Sequence, residues 1–213
     1  MKLANDLRVE LLPYCERVWT GGSVRRHKPF VGDIELVCIP KPGRPLPEPT
    51  EPEGQADLFG APPPPVDRPA PDDQLTVYLA ERCADPRSPW RMRPNKAGNT
   101  SFGLKNKLLT YNGSPIDVFS GTWANFGMLF FVRTGDAGWV RTVMAEFKSQ
   151  KRRGHPYGGL EYFVEGTEDS PGAVRAEYLC RDEERVFELL GWPFVNPDDR
   201  TEDRASELRR THH

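Results

Sequence analysis

The proline-rich stretch from Pro40 to Pro71 limits the possible folds of this chain more than any other feature. It contains the run Pro62–Pro65, and its one pair of adjacent large apolar residues is Leu58 and Phe59. So few apolar side chains cannot offset the entropy lost on ordering, and we expect a disordered or polyproline II-like segment. Strand-like patterns lie on both sides of it. Residues 40–74 are therefore predicted to be an insertion that interrupts one domain.

The remaining composition is typical of one medium domain or two small ones. The chain has 213 residues, and 37% of them are hydrophobic, which is enough to bury a core. It has no run of 18 apolar residues and no secretory pattern at its N-terminus, so we expect a cytoplasmic monomer without membrane contact. The four cysteines are far apart and form no CxxC pair, which argues against a zinc site and favours reduced thiols.

The charge balance argues against a strongly basic nucleic-acid-binding protein. The net charge is −2, from 29 basic and 31 acidic residues, and the acidic excess lies in the proline-rich stretch. Two groups among the other cations are candidate DNA contacts: Lys105 and Lys107, and then Lys148, Lys151, Arg152 and Arg153. The second group also fits an ordinary solvated helix end, because cations there complement the helix dipole.

Apolar periodicity and turn residues predict a mixed α+β fold. The N-terminal residues through Trp19 have a helical pattern that Pro13 kinks or restarts. The alternation in VGDIELVCI predicts a strand with Asp33, Glu35 and Val37 on one face. The other predicted elements are a short element at Leu75–Leu79, a hairpin over Thr100–Phe119 with a turn at Asn112-Gly113, a buried strand at Met128–Val132, and helices over Trp139–Gln150 and Asp182–Leu190.

Two carboxylates share one face of the strand VGDIELVCI. Asp33 and Glu35 are two residues apart, so their side chains leave that face about 7 Å apart along the strand. A third acid, Asp117, lies in the apolar segment PIDVF. Like charges this close favour a divalent cation, and three converging acids suit two-metal phosphoryl transfer. The alternative is that Asp33 and Glu35 form the solvent face of an edge strand.

The segment before this strand has the composition of a phosphate-binding turn. Gly21, Gly22 and Ser23 combine two residues without side chains and a hydroxyl group, and Arg25 and Arg26 follow. Exposed backbone N–H groups at such a turn can bind phosphate oxygens. The turn, the two arginines and the Asp-x-Glu pair occur in this order over a short stretch, which makes the combination a specific signal.

These residues resemble the nucleotidyltransferase signature of the family X, polymerase-beta-like DNA polymerases. The string GGSVRRHKPFVGDIELV is similar to the family pattern of glycine-serine, two arginines and glycine-aspartate-x-aspartate. Downstream, PIDVF resembles the strand with the third metal-binding aspartate, NFGMLFFVRTGD the segment that ends in a Thr-Gly turn, and FELLGWPFVNPDDR the end of the thumb. The similarity spans about residues 5–40 and 100–204.

The resemblance implies a fold and a set of roles. Residues 1–138 would form a nucleotidyltransferase palm, a mixed β-sheet with helices on one face, and residues 139–213 a thumb-like lobe. Two Mg²⁺ or Mn²⁺ ions would bind Asp33, Glu35 and Asp117, with Asp117 nearest the primer 3′-hydroxyl. Ser23 and Arg26 would hold the β- and γ-phosphates of the nucleotide. The implied nucleotide-binding residues are Gly22, Ser23, Arg26, Thr134 and Gly135.

Two positions depart from the family pattern. Glu35 stands where the family usually has aspartate, and its longer side chain shifts the metal. Arg133 occupies a place that is often aromatic and that bears on discrimination between ribose and deoxyribose. The few residues before position 5 leave no room for the family's lyase domain, so the resemblance implies a minimal palm-plus-thumb enzyme of a bacterial or phage-infected cell.

Two short segments predict contacts with partners. Gln55-Ala-Asp-Leu-Phe59 resembles the Q-x-[S/D]-L-F peptides that dock on the sliding clamp, with Gln55, Leu58 and Phe59 as the clamp-binding residues. The alternative is that Leu58 and Phe59 fix the insertion to the domain. The segment SPWRMRPN offers Trp90 and two arginines either for stacking on a template strand or for packing on the domain.

The leading hypothesis is a metal-dependent DNA nucleotidyltransferase that fills gaps or extends primers in DNA repair. It would add dNMP from a dNTP to a primer 3′-hydroxyl on primer-template or gapped DNA and release pyrophosphate. One alternative is a nucleotidyltransferase acting on RNA or another acceptor, since the Gly-Ser…Asp-x-Glu core is common to the wider superfamily. Another is an inactive module that binds the clamp.

Overall fold

The structure, a computed structural model, describes residues 1–43, 72–150, 152–155, 159–163 and 174–212. Most of the predicted insertion lies outside these residues. The proposed clamp-binding residues Gln55, Leu58 and Phe59 fall in that part of the chain, and Lys151 is also outside the described residues.

The described ranges contain seven α-helices and eight β-strands. The helices are α1 Lys2–Leu11, α2 Gly22–Arg25, α3 Gln74–Ala84, α4 Phe126–Thr134, α5 Ala137–Ser149, α6 Glu183–Leu190 and α7 Glu202–Thr211. The strands are β1 Cys15–Thr20, β2 Ile34–Pro40, β3 Trp90–Met92, β4 Asn106–Tyr111, β5 Ser114–Ser120, β6 Arg152–His155, β7 Gly159–Phe163 and β8 Val174–Tyr178.

Five of the strands form one mixed sheet in the order β1-β2-β5-β4-β3. The central strands β2 and β5 are parallel, and the other neighbours in this sheet are antiparallel. Strands β6, β7 and β8 form a separate antiparallel sheet. The mixed α+β class predicted from the sequence is therefore confirmed.

Both faces of the five-stranded sheet are covered by helices. On β2, Leu36 and Cys38 belong to one core cluster with the apolar residues of α1 and α3. Their neighbours Val37 and Ile39 belong to another cluster with Phe130 and other residues of α4. A strand buried on both faces is apolar almost throughout, as β2 is. The prediction that helices lie on one face alone is therefore wrong.

Two predicted elements have the wrong type. Helix α1 ends at Leu11, and a 3₁₀ turn with Pro13 leads into β1, so Val18 and Trp19 lie in a strand. The apolar segment that includes Met128–Val132 forms the helix α4 instead of a strand. Periodicity cannot separate the two types when a segment is buried on all sides, and α4 is such a segment.

Turn residues predicted the local structure more accurately than apolar periodicity did. The Asn112-Gly113 turn connects β4 and β5, with φ of +47° and +81° at its two residues, as a two-residue hairpin requires. Helix α6 ends at Gly191, whose left-handed φ of +73° is the usual helix stop. The predicted hairpin and the predicted helix over Asp182–Leu190 are both confirmed.

The C-terminal helices share a second large core. Helices α4 to α7 pack around aromatic residues that include Trp139, Phe147 and Trp192. Helix α4 contributes to this core through Met128 and Phe131, and its other side packs on the sheet. Helix α4 therefore connects the five-stranded sheet with the C-terminal helical core. No helix in the described part of the chain is long and apolar enough to cross a membrane.

Candidate active site

Glu35 and Asp117 lie directly opposite each other on the two parallel strands. The register of β2 and β5 pairs these two residues, and hydrogen-bonded strands lie about 4.8 Å apart. Asp33 comes immediately before β2. The sheet thus brings Glu35 and Asp117, which are far apart in sequence, onto adjacent positions of one sheet face, next to Asp33.

Burial and mutual repulsion disturb the titration of this pair. The pKa of Glu35 is raised to about 7, chiefly by burial and also by the charges of Asp33 and Asp117, while Arg133 and Arg26 oppose the change. Burial also raises the pKa of Asp117, and the main opposing charge is that of Arg93. The nearby arginines therefore do not supply enough positive charge to keep both carboxylates at their ordinary pKa.

Arg93 is the direct partner of Asp117. It follows β3 and its Nη2 donates to Asp117 Oδ1 in a partly buried ion pair. From the sequence, Arg93 was a candidate for holding a template strand. Its contact with Asp117 was not predicted, because the order of the strands in the sheet brings the two residues together and no local sequence pattern encodes that order. Trp90 of the same segment is fully buried and its Nε1 donates to Glu10 Oε1 (2.7 Å), so it packs on the domain.

The acids fit a divalent cation by their chemistry. Carboxylate oxygens are the ligands that Mg²⁺ prefers, and the raised pKa values of Glu35 and Asp117 show that a cation would relieve their repulsion. Among the described residues, however, no three His, Cys, Asp or Glu side chains are gathered closely enough to hold a metal ion. Binding of one metal ion by all three acids would therefore require their side chains to move closer together.

The glycine turn lies against Glu35. Gly21 N donates to the backbone oxygen of Glu35 (2.9 Å). Gly22 has a φ of +59°, and a Cβ atom at this position would overlap the carboxylate of Glu35. Both requirements favour glycine at this position. The predicted phosphate-binding turn and the predicted metal ligand are thus direct neighbours, with Ser23 partly buried beside them.

The two arginines after the turn hold the end of α4. Arg26 Nη1 donates to the backbone oxygen of Thr134 (2.6 Å), and Arg25 Nη1 donates to Thr134 Oγ1 (2.9 Å). Thr134 is fully buried, which contradicts the prediction that it contacts the sugar or base of a nucleotide. Gly135 is required for packing, because a Cβ atom there would overlap the ring of Trp139.

A buried carboxylate outside the predicted site completes this network. Glu183, at the start of α6, accepts hydrogen bonds from Arg25 Nη1 through Oε1 and from Arg200 Nη2 through Oε2. Arg200 is fully buried and its Nε also donates to the backbone oxygen of Val195 (3.0 Å). The sequence predicted the helix but gave no signal for this acid, whose partners are distant in the chain.

The predicted DNA contacts are divided between surface and interior. Lys105 and Lys148 are exposed. Lys107 is fully buried, burial lowers its pKa, and its Nζ donates to the backbone oxygen of Gly103 (2.9 Å). This burial contradicts the prediction that Lys107 contacts DNA.

The remaining predicted contacts lie at the end of α5 and in the strand that follows. Arg152 donates through Nη1 to Gln150 Oε1 (3.1 Å) and to the backbone oxygen of Leu189, so it helps to hold the end of α6. Arg153 lies in β6, next to Arg152 in sequence. Together with Lys148 at the C-terminal end of α5, these residues stay candidates for phosphate contacts.

Comparison with known proteins adds no family to this picture, because neither a protein-family model nor a curated protein sequence matches the chain.

Proposed function

We propose that this chain is a metal-dependent DNA nucleotidyltransferase with a polymerase-beta-like palm and a small thumb-like lobe. It would add dNMP from a dNTP to a primer 3′-hydroxyl in repair or gap filling and release pyrophosphate. The observation that carries the proposal is the register of Glu35 with Asp117, next to Asp33 and against the glycine-serine turn. An acid pair, a phosphate-binding turn and arginines at one place suit phosphoryl transfer better than they suit a structural role.

Each group would have a defined task. Asp33, Glu35 and Asp117 would hold two Mg²⁺ or Mn²⁺ ions, which supply charge neutralisation at the phosphate and activation of the attacking hydroxyl. Asp117 would orient the primer 3′-hydroxyl. Gly22 and Ser23 would bind the β- and γ-phosphates through the turn.

The arginines would act on the leaving group. The charge of Arg26 lowers the pKa of Glu35, and among the described residues its Nε has no hydrogen-bond partner, so its guanidinium has bonding capacity left for a phosphate oxygen. It would stabilise the negative charge that develops on pyrophosphate. Arg133, whose guanidinium lies 3.6 Å from the ring centre of Phe119, is held at the same sheet face.

DNA binding would be weak and salt-sensitive, since the chain has a net charge of −2 and is not strongly basic. The exposed cations that we propose for phosphate contacts are Lys105 and Lys148. The clamp-binding peptide at residues 55–59 lies outside the described residues and stays a prediction; it would compensate for weak DNA binding by tethering the enzyme.

Primer extension tests the proposal. A labelled primer on gapped or single-stranded template would be incubated with dNTPs or NTPs and with Mg²⁺ or Mn²⁺, for wild type, Asp33→Asn and the control Asp6→Asn. Asp6 is an exposed acid on α1, which packs on the face of the sheet opposite to Glu35 and Asp117. We expect templated dNMP addition that Asp33→Asn lowers at least about 100-fold, because a lost metal ligand removes transition-state charge stabilisation.

Other outcomes separate the alternatives. Addition of NMP to RNA, with no addition to DNA, would replace DNA by another acceptor. No addition under any condition, together with clamp capture that Leu58→Ala abolishes, would favour an inactive clamp-bound module. Equal activity of wild type and Asp33→Asn would overturn the assignment of the site itself.

A further inference from the structure

The loop between α2 and Asp33 carries an aromatic ring with almost no protein contacts. Phe30 is 89% exposed, and no other large apolar side chain that the structure describes is more exposed. Val31 beside it is 41% exposed. Burial of a ring of this size in a complex would be favourable, which makes Phe30 a candidate contact for a ligand or partner.

The position of the ring is limited by short connections on both sides. Phe30 is three residues before Asp33, and three residues span at most about 10 Å. On the other side, Lys28 N donates to Ser23 O (3.0 Å), which ties the loop to the glycine-serine turn. Phe30 is therefore confined to the border of the candidate active site.

The base of the loop is held in place. His27 Nδ1 lies 3.0 Å from Asp198 Oδ1, in the segment between α6 and α7. Pro29, just before the ring, has a fixed φ and restricts Lys28 to extended conformations. An aromatic ring on a restrained loop loses little conformational entropy when a flat partner covers it.

The chemistry around the ring selects a nucleic acid as this partner. Lys28 is exposed two residues away, whereas Arg25 and Arg26, which precede it in sequence, hold the end of α4. A cation next to an exposed aromatic ring is the arrangement with which proteins bind single strands: the cation contacts the phosphate and the ring stacks on a base. No acidic side chain lies between Ser23 and Gly32.

We propose that Phe30 is a stacking platform for an unpaired base of a single-stranded nucleic acid that enters the candidate active site, with Lys28 on the adjoining phosphate. This inference rests on the proposed function, since a strand must reach the site. It gives the loop that carries Phe30 a contact with the nucleic-acid strand, which the sequence did not predict.

Binding of a short fluorescent oligothymidylate, measured by anisotropy in EDTA without nucleotide, tests the inference apart from catalysis. The variants are Phe30→Ala, Phe30→Leu, Phe30→Trp and Lys28→Ala. The control is Val9→Ala, an exposed apolar residue on α1. Because a stacked base contributes substantially to binding, Phe30→Ala should weaken it roughly 5- to 100-fold, and Phe30→Trp should retain it.

Two comparisons separate stacking from other contacts. Phe30→Leu keeps an apolar side chain without a ring, so it should bind as weakly as Phe30→Ala. Lys28→Ala should lower the slope of log K against log salt by about 0.7, whereas Phe30→Ala should leave the slope unchanged. An oligonucleotide with abasic sites should bind wild type and Phe30→Ala equally.

The inference is overturned if wild type does not bind the oligonucleotide, if Phe30→Ala binds as wild type does, or if Phe30→Leu retains full binding. Primer extension by the same preparations reports on the proposed function separately. A chain that extends primers and binds independently of Phe30 keeps the function and loses this inference. Binding that depends on Phe30, without any primer extension, keeps this inference about strand binding and loses the proposed catalytic function.

Discussion

The sheet and the helical C-terminal part treat buried carboxylates in opposite ways. In the helical part, Glu183 lies between Arg25 and Arg200, and each of its oxygens accepts a hydrogen bond from one guanidinium. On the sheet, Glu35 and Asp117 face each other, and burial with mutual repulsion raises the pKa of Glu35 to about 7. Glu183 is paired through both oxygens, whereas on the sheet Arg93 pairs with Asp117 and the pKa values of Glu35 and Asp117 are still raised.

This difference separates a structural ion network from a site with capacity for a ligand. A buried acid that is matched by cations stabilises the fold only as long as the network is complete. A pair of acids with too few cations destabilises the fold until a cation or a proton arrives. In the proposed function, the sheet would therefore supply the binding chemistry, and the helical part would supply the framework that positions Arg25 and its neighbours.

Glu183→Gln gives the largest expected effect, because it leaves two guanidinium groups without their carboxylate. Arg200 is completely buried and Glu183 is 2% exposed in its side chain. Breaking a buried pair by removing one partner costs about 3–5 kcal/mol of unfolding free energy. Urea denaturation would measure the loss, with Glu184→Gln, an exposed acid in the same helix, as the control.

A second variant tests whether the loss comes from unpaired charge. Glu183→Met combined with Arg200→Met removes both fully buried charges and should cost less than the sum of the two single variants, because only the partly buried Arg25 then lacks its carboxylate. A change of less than about 1 kcal/mol in Glu183→Gln would contradict the view of this network as a framework.

Glu35→Gln should change the free energy of unfolding in the opposite direction and stabilise the protein. The pKa of Glu35 is about 7 in the folded protein against 4.5 for an ordinary glutamate, so between these values the folded state holds more protons than the unfolded chain. The free energy of unfolding should therefore fall as the pH rises from about 4.5 to about 7. Glu35→Gln should remove this slope and raise stability by about 1–3 kcal/mol at pH 8 in EDTA.

Denaturation of wild type, Glu35→Gln and the control Glu81→Gln between pH 5 and pH 8 would check this prediction. Glu81 is exposed on α3, so its replacement should leave the slope unchanged. If Glu35→Gln keeps the pH dependence of wild type, the sheet does not carry the unbalanced charge.

The sequence predicted the acids of the candidate site on the sheet and missed the helical network for a physical reason. The two-residue spacing predicted Asp33 and Glu35 on one strand face, although Asp33 lies immediately before β2, and the Asn112-Gly113 turn fixes the hairpin that carries Asp117. Glu183 meets Arg25 across 158 positions of sequence, and no local pattern encodes such a contact. Local rules therefore predicted the acids and not their arginine partners.

The choice between helix and strand was predicted wrongly where the element is buried on nearly every side. Helix α4 is apolar and buried on nearly every side because it packs between the sheet and the C-terminal core, so it has no polar face to reveal its period. The prediction for Lys107 was wrong for the opposite reason. A charged residue on an alternating strand was assigned to the surface, although its side chain points into the core. Tertiary packing decided both cases.

Gly22→Ala should have a smaller effect on stability and a clear effect on the site. A left-handed φ of +59° costs a residue with a side chain about 1–2 kcal/mol, and the new methyl group would also displace the carboxylate of Glu35. We therefore expect loss of primer extension with a modest fall in unfolding free energy. The control is Gly103→Ala, where an added Cβ meets no atom within 4 Å. Retained activity in Gly22→Ala would show that the contact with Glu35 is not needed.

The smallest expected effect distinguishes the two lysines of the hairpin. Lys105 is exposed and Lys107 is fully buried, so only Lys105 can release counterions from duplex DNA. Lys105→Ala should lower the slope of log K against log salt for a primer-template by about 0.9, and Lys107→Met should leave the slope unchanged. An apolar side chain of similar length in place of a buried ammonium should be close to neutral for stability, because the desolvation cost of the charge disappears with its bond to Gly103. A lower salt slope in Lys107→Met would mean that this strand opens towards DNA, and the surface and interior of the sheet would then have to be reassigned.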